Sequence, residues 1–113
     1  MLLNRDDIKQ AMDLPSQIVH IDEWNGDVKV QAMCTRDRIA FEKKNAGSKS
    51  ELDTMLFLIM YSCVDDNGVR LFNDDDYDLL ASKSSNALFQ LFQASIALST
   101  LSKQGVEDIA KNS

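Results

Sequence analysis

The residues of this chain that could do chemistry are a single histidine, His20, and two cysteines, Cys34 and Cys63. A thiol nucleophile needs a base beside it, and His20 is the one imidazole in the sequence that could serve. The three residues lie far apart along the chain, so their spacing gives no reason to expect them side by side in the folded protein. They also fall short of the three or four closely spaced ligands of a zinc site. We therefore predict no enzymatic activity, no catalytic residue, no metal and no cofactor.

An acidic stretch after Cys63 resembles a calcium loop until its positions are counted. Counting from Asp65, the glycine falls at the fourth place rather than the sixth, and Val69 stands at the fifth, where an oxygen ligand is required. Asp76 occupies the twelfth place, which a glutamate normally holds. The pattern favours a turn followed by an acid-rich helix start. It leaves open weak divalent-ion binding at Asp74–Asp76.

Composition sets the class of protein. A chain of 113 residues predicts one domain over residues 1–113, and 44% hydrophobic with 27% charged residues is typical of a globular chain. The net charge of −6 disfavours nucleic acid and anionic membranes as partners. We find no signal peptide and no apolar run near the ~20 residues of a membrane span, and two isolated cysteines favour free, mostly buried thiols. We therefore expect a cytoplasmic protein.

The N-terminal third predicts a short helix followed by a β-hairpin. Asn4 is a good N-cap, and Pro15 ends the helix that it opens. Residues 17–22 alternate between the two faces of a strand, the Asn-Gly pair at residues 25–26 is a strong turn signal, and residues 28–32 read as the returning strand. Such a hairpin is marginal alone, so it must pack on helices.

Helical signals fill the centre of the chain. Thr35 is predicted to cap a helix through Lys44, and Ser48 with Glu51 forms a capping box before the strongest helix. That helix carries an apolar stripe at helical spacing: Leu52, Met55, Leu56, Ile59, Met60 and Cys63.

Two further helices complete the prediction. Asn73 caps an acidic helix, and Ser84 or Ser85 opens a long last helix that Gly105 can end. The predicted fold class is therefore α+β and mostly helical, with an N-terminal β-hairpin packed on about four or five helices.

The last helix is apolar around most of its circumference. One core stripe would need only Leu88, Leu91, Phe92, Ser95 and Leu98. Phe89, Ile96 and part of Phe92 fall on another sector, so either the helix is central to the fold or one face serves another chain. The second alternative means homo-oligomerisation or capture of an apolar client segment.

Trp24 stands beside the predicted turn. It is either a packing residue at the hairpin end or, if exposed, a docking anchor of the kind enriched in interfaces. Our hypothetical partner-binding residues are accordingly Phe89, Phe92, Ile96 and Trp24.

The order of these pieces resembles the tail assembly chaperones of long-tailed, siphovirus-type bacteriophages over residues 4–109. A strand ending in an acidic-Trp-Asn-Gly turn spans residues 19–26, and an Arg-x-Arg-x-x-x-Glu helix, with phenylalanine before the glutamate, spans residues 36–42. An Asp-x-x-Gly-x-x-x-Phe turn at residues 65–72 precedes an acidic helix cap.

The resemblance implies a chaperone absent from the finished virion. Such a protein binds the tape-measure protein, keeps its apolar helices soluble and recruits major tail-tube subunits. The family often has a short form and an extended form made by translational frameshifting. This chain would be the short form. Its terminal Lys111 and Asn112 are compatible with an A-rich slippery codon run. The alternative is a structural tail or head–tail connector protein that forms a ring.

Overall fold

The structure, a computed structural model, describes the backbone of residues 1–111 and the side chains of residues 1–99. Within these limits five helices and three strands follow one another in the order α1 (Arg5–Gln10), β1 (Ser16–Ile21), β2 (Gly26–Gln31), α2 (Thr35–Ala46), α3 (Glu51–Ser62), β3 (Cys63–Val64), α4 (Tyr77–Ala81) and α5 (Ser85–Lys111). The predicted mostly helical α+β class with an N-terminal hairpin is confirmed. Within the described backbone, no helix is long and apolar enough to cross a membrane.

The three strands form one antiparallel sheet in the order β1-β2-β3. The β1–β2 register runs from the pair Ser16–Gln31 to the pair Ile21–Gly26. Ile21 and Val30 are fully buried, and both lie on the inner face of this hairpin. The short third strand was not predicted, because Cys63 fits the helical spacing of the segment before it.

The hairpin turn is longer than the Asn-Gly pair alone. Asp22–Trp24 form a 3₁₀ turn, and Asn25 closes the loop in the left-handed conformation at φ 51°. Gly26 is already the first residue of β2, paired with Ile21. Asparagine tolerates this conformation better than other side chains, so Asn25 supplies the change of direction.

The core lies between the inner face of the sheet, α3 and α5. Its largest fully buried side chains come from these three layers and from α4: Ile21, Val30, Leu56, Ile59, Met60, Cys63, Leu80 and Leu91. Burying one such aliphatic side chain contributes ~1.5–3 kcal/mol. The folded state of this small domain therefore depends on α5 lying across both the sheet and α3.

The first two helices have boundaries that differ from the prediction. The backbone is already extended at Ala11, so α1 ends at Gln10 and Pro15 is not what ends it. Cys34 takes the N-cap position of α2, and Thr35 is the first helical residue. Cys34 is exposed rather than buried.

The N-cap of α3 lies two residues after the predicted one, Ser48. Ser50 is the N-cap, and its Oγ accepts a hydrogen bond of 3.2 Å from the Asp53 N–H. Asp53 in turn accepts one of 3.1 Å from the Lys49 N–H. Asp53 thus accepts the backbone hydrogen bond that the predicted capping box assigned to Glu51. The hydroxyl of Ser48 instead donates a hydrogen bond to the Ser50 carbonyl oxygen.

The predicted core stripe of α3 is right in its second half and wrong at its start. Leu52 is 46% exposed, whereas Leu58 and Tyr61, outside the stripe, are buried. The reason is that α3 packs against α2 on one side and α5 on another, so its C-terminal half is covered on most sides.

The C-terminal half begins as predicted. Asn73 and Asp76 form a capping box around the 3₁₀ turn Asp74–Asp76, which leads into α4. Ser84 caps α5, because its Oγ accepts a hydrogen bond of 3.2 Å from the Ala87 N–H.

The end of α5 differs from the prediction. Its backbone stays helical through Gly105 to Lys111. A glycine costs a helix interior only about 1 kcal/mol, which does not by itself end a helix. Asn112, part of the frameshift expectation, lies outside the described residues.

Candidate partner-binding surface

One side of α5 faces the core and the opposite side faces outward. The core side consists of buried residues at helical spacing: Ala87, Leu88, Leu91, Ala94, Ser95 and Leu98. Phe89 is 48% exposed and Ile96 40% exposed on the opposite side, with Phe92 half-buried at its edge. We call Phe89, Phe92 and Ile96 the outer face of α5. Spacing separated Phe89 and Ile96 from the core stripe, whereas Phe92 belongs to that stripe and packs partly against the core.

Phe89 also forms one wall of an apolar groove at the start of α5. The groove has a volume of about 500 Å³ and lies between α3, α4 and α5. Its other residues are Leu52, Met55, Ala81, Lys83, Ser85, Asn86 and Leu88. Lys83 is the one charged side chain among them. We call this the Phe89 groove.

Two groove residues were assigned to the core by sequence reasoning. Leu52 and Met55 fit the apolar spacing of α3, yet Leu52 is half-exposed and Met55 is only partly buried. The spacing along α3 alone does not separate them from the core residues that follow. Nothing in the sequence indicated that Lys83 would line a groove.

Trp24 lies in a second depression, separate from the outer face of α5. It is half-buried and lines a cavity of about 240 Å³ with Phe72, Leu79, Leu80 and Lys83. The structure therefore does not bring Trp24 together with Phe89, Phe92 and Ile96 of the outer face. Lys83 borders both the cavity and the Phe89 groove.

The hairpin loop is held against the start of α5 by Glu23. Its carboxylate accepts a hydrogen bond of 3.4 Å from the Ser84 hydroxyl and one of 3.3 Å from the Asn86 side-chain amide. Asn25, by reversing the chain, directs the loop toward these partners. The tip of the sheet thus positions the rim of the Phe89 groove.

The outer face of α5 belongs to an uncharged stretch of an acidic chain. Residues 84–102 contain no Asp, Glu, Lys or Arg, although the protein has 18 acidic and 12 basic side chains. Exposed apolar side chains on an uncharged helix surface, such as Phe89 and Ile96, are typical of a protein-binding site.

The residues that could have formed a catalytic dyad have other neighbours. His20 Nδ1 lies 2.8 Å from Asp27 Oδ1, and Nε2 lies 3.2 Å from Asp22 Oδ1. The hydrogen bond to Asp27 is the main reason that the pKa of His20 is raised, with the charges of both carboxylates adding to it. Burial raises the pKa of the Cys63 thiol to about 12. A thiol with this pKa is a poor nucleophile at neutral pH.

The acidic segment is used to build turns. Asp65 Oδ1 accepts hydrogen bonds from the N–H groups of Asn67, at 2.8 Å, and Val69, at 3.0 Å. Asp74 lies 3.5 Å from the Lys44 ammonium and 3.9 Å from the Arg70 guanidinium. Among the described side chains, no group of three or more candidate ligands is placed to hold a metal ion.

Comparison with known proteins gives a likeness in structure but none in sequence. No protein-family model matches the chain, and no curated protein matches it in sequence. The structure is similar to that of the tail assembly chaperone of bacteriophage HK97, with a TM-score of 0.53 and 15% sequence identity. The match covers 80% of this chain and 92% of that chain. The fold of this protein is therefore that of a phage tail assembly chaperone.

Proposed function

We propose that this protein is a phage tail assembly chaperone that acts by reversible protein binding and not by catalysis. The observation that carries the proposal is the exposed outer face of α5, which continues into the Phe89 groove on a chaperone fold. Its client is the tape-measure protein, whose apolar helices it keeps soluble in the host cytoplasm. It then recruits major tail-tube subunits and is absent from the finished virion.

The mode of binding follows from the spacing of the outer face. Phe89, Phe92 and Ile96 stand at helix positions i, i+3 and i+7, which is the spacing that meets an apolar helix lying alongside. Met55 adds a flexible thioether to the Phe89 groove, and such side chains adapt to clients of varied shape. The net charge of −6 keeps the complex dispersed.

Trp24 supplies a second anchor. Its cavity is separate from the Phe89 groove, so a second partner can occupy it while the client is held. Tryptophan contributes strongly when it fills an interface pocket. Tube subunits that dock there would then displace the chaperone, because they make better contacts with the client.

The first test is co-expression with the tape-measure protein of the same phage, measured as the soluble, co-purifying fraction. We expect the wild-type chain to retain the client in solution and Phe89→Asp to lose it. Ile18→Asp is the matched control, because Ile18 is 60% exposed but lies on the outer face of the sheet. If the client is equally insoluble with and without the chain, or if both variants behave alike, this mode of binding is wrong.

A second test addresses the structural alternative. Mass spectrometry of purified virions should detect tube and tape-measure proteins but not this chain. Its presence in stoichiometric amount would contradict the proposal and favour a structural ring protein.

A further inference from the structure

The outer edge of β1 is an unprotected strand edge. Among the described residues β1 pairs with no strand except β2, and the order of the sheet leaves β1 outermost. Its six residues run in unbroken register with β2 and include no Asp, Glu, Lys, Arg or Pro. Monomeric proteins usually interrupt such an edge with a charge, a proline or a bulge, because its free backbone groups recruit another strand. The edge of β1 is therefore suited to pairing.

The hydrogen bonding of the hairpin fixes which backbone groups of β1 point outward. Ala32 donates a hydrogen bond of 2.9 Å to the Pro15 carbonyl oxygen, so this pair belongs to the hydrogen-bonded set of the antiparallel ladder. Along β1 the set continues at every second residue, through positions 17, 19 and 21. The residues between them, Ser16, Ile18 and His20, turn their N–H and C=O groups away from β2. Their side chains are exposed as well.

The occupant of this edge must be a strand. The backbone groups of a helix are bonded within the helix, so an apolar client helix cannot pair with β1. Residues 11–14 border β2 and the loop of residues 66–68, on the other side of the sheet from this edge. The partner must therefore bring an extended segment with a free edge of its own, and β1 of a second copy is such a segment.

The surface beside the edge is complementary to itself. Gln17 and Val19 border a depression of about 310 Å³ together with Gln90, Gln93 and Ala97 of α5. Amide side chains both donate and accept hydrogen bonds, so this surface can bond to its own copy. Neither β1 nor residues 84–102 contain Asp, Glu, Lys or Arg, so two molecules of net charge −6 meet here without opposing like charges. We propose that two copies of this chain form a two-fold dimer by pairing their β1 edges antiparallel.

One register satisfies every outward-facing group. With the two-fold axis at Ile18, each Ile18 pairs with its own copy, and each Ser16 pairs with the His20 of the other copy. A shift of two residues in either direction moves an end residue beyond the partner strand. The two Ile18 residues then lie directly opposite each other, with their Cα atoms ~5.5 Å apart. The pairing joins two three-stranded sheets into one.

The dimer goes beyond the proposed function and is compatible with it. Phe89, Phe92 and Ile96 do not line the depression beside β1, so the outer face of α5 stays free in each copy. One dimer then presents two such faces, and a long client that reaches both is held more tightly than by either alone.

The experiment places opposite charges at the axis. Full-length Ile18→Asp and Ile18→Lys each put like charges face to face, whereas their mixture pairs Asp with Lys. Ile18 is 60% exposed, so circular dichroism should report a folded domain for both variants. Sedimentation velocity at neutral pH should show a wild-type dimer, self-association of each variant more than about tenfold weaker, and a one-to-one dimer in the equimolar mixture.

Two further variants serve as controls. Ile18→Pro removes one outward N–H and leaves the ladder to β2 intact, as proline at a strand edge can, so it should be monomeric. Val69→Asp, at a residue 60% exposed and outside β1, should dimerise like wild type.

The proposal is overturned if wild type is monomeric, if Ile18→Asp associates like wild type, or if the mixture associates no better than its components. Should Ile18→Pro unfold, the charge pair alone decides. None of these outcomes depends on the client, so failure here leaves the co-expression test unaffected. The outer face of α5 is unchanged in Ile18→Asp, which therefore remains the control variant of that test.

Discussion

The hydroxyl of Tyr77 donates a hydrogen bond of 2.5 Å to Oδ1 of Asp53. This contact joins the first residue of α4 to the first turn of α3, where Asp53 also accepts a hydrogen bond from the Lys49 N–H. The Tyr77 hydrogen bond is the main reason that the pKa of Asp53 is lowered, and it also raises the pKa of Tyr77. One carboxylate thus stabilises both a helix cap and the position of the next helix.

We predict that Tyr77→Phe removes a pH-dependent part of the stability. Because Asp53 has a lower pKa in the folded state, its contribution is present above the ordinary carboxyl pKa of 3.8 and is lost as the pH falls through the lowered value. Wild type should therefore unfold at a higher temperature than Tyr77→Phe near neutral pH, and the gap should shrink in acid. Thermal unfolding at several pH values measures this. An equal gap at neutral pH and at about pH 2.5 would mean that the Asp53 charge is not involved.

The two sides of α5 should respond differently to truncation. Leu91 is fully buried, so Leu91→Ala should lower the free energy of unfolding by ~2–5 kcal/mol, through lost burial and a cavity. Phe89→Ala, two residues away on the outer face, should lower it by less than about 1 kcal/mol. Urea unfolding of both variants gives the comparison. Similar losses would show that Phe89 is part of the core and not free for a partner.

Two glycines form a matched pair. Gly68 has φ +79°, where a side chain is strained, so Gly68→Ala should destabilise the turn by ~1–2 kcal/mol. Gly47, at the C-cap of α2, has φ −91°, and an added Cβ would meet its nearest neighbour at 3.7 Å, an ordinary contact. Gly47→Ala should be neutral or slightly stabilising. If both substitutions cost the same, the left-handed conformation of Gly68 is not the cause.

The two thiols should react at very different rates. Cys34 is exposed, whereas Cys63 is buried with its pKa raised to about 12. At pH 8 only about one Cys63 side chain in ten thousand would be ionised. A colorimetric thiol reagent should therefore modify one thiol per native chain and two after denaturation. Cys34→Ser should show none until it unfolds, and rapid native labelling of that variant would contradict the burial of Cys63.

Sequence reasoning was most reliable where one local interaction decides the structure. The cap at Asn73 and the turn before Val69 are both as predicted, since each depends on neighbouring residues. It failed where two local solutions compete. Ser48 and Ser50 are both good caps, and the hydrogen bond from the Lys49 N–H to Asp53 favours the second.

The exposure of the α5 side chains shows the same division, while their role in binding stays a prediction. The excess of apolar residues on α5 pointed to Phe89 and Ile96, because that argument needs only the spacing along one helix. Leu52 and Lys83 could not be found in this way. They join the groove through the packing of α3 and α4 against α5, which follows from tertiary contacts that no single segment encodes.

The sequence order of the elements, with α5 following the sheet and α3 that it covers, has a consequence for the order of folding. The inner side of the hairpin at the N-terminus is covered by α5, and the loop contact between Glu23 and Asn86 joins residues 63 positions apart. Until the segment around Leu91 has been synthesised, Val30 lacks the helix that buries it. A nascent chain that stops before α5 therefore exposes the apolar surface that the finished protein hides.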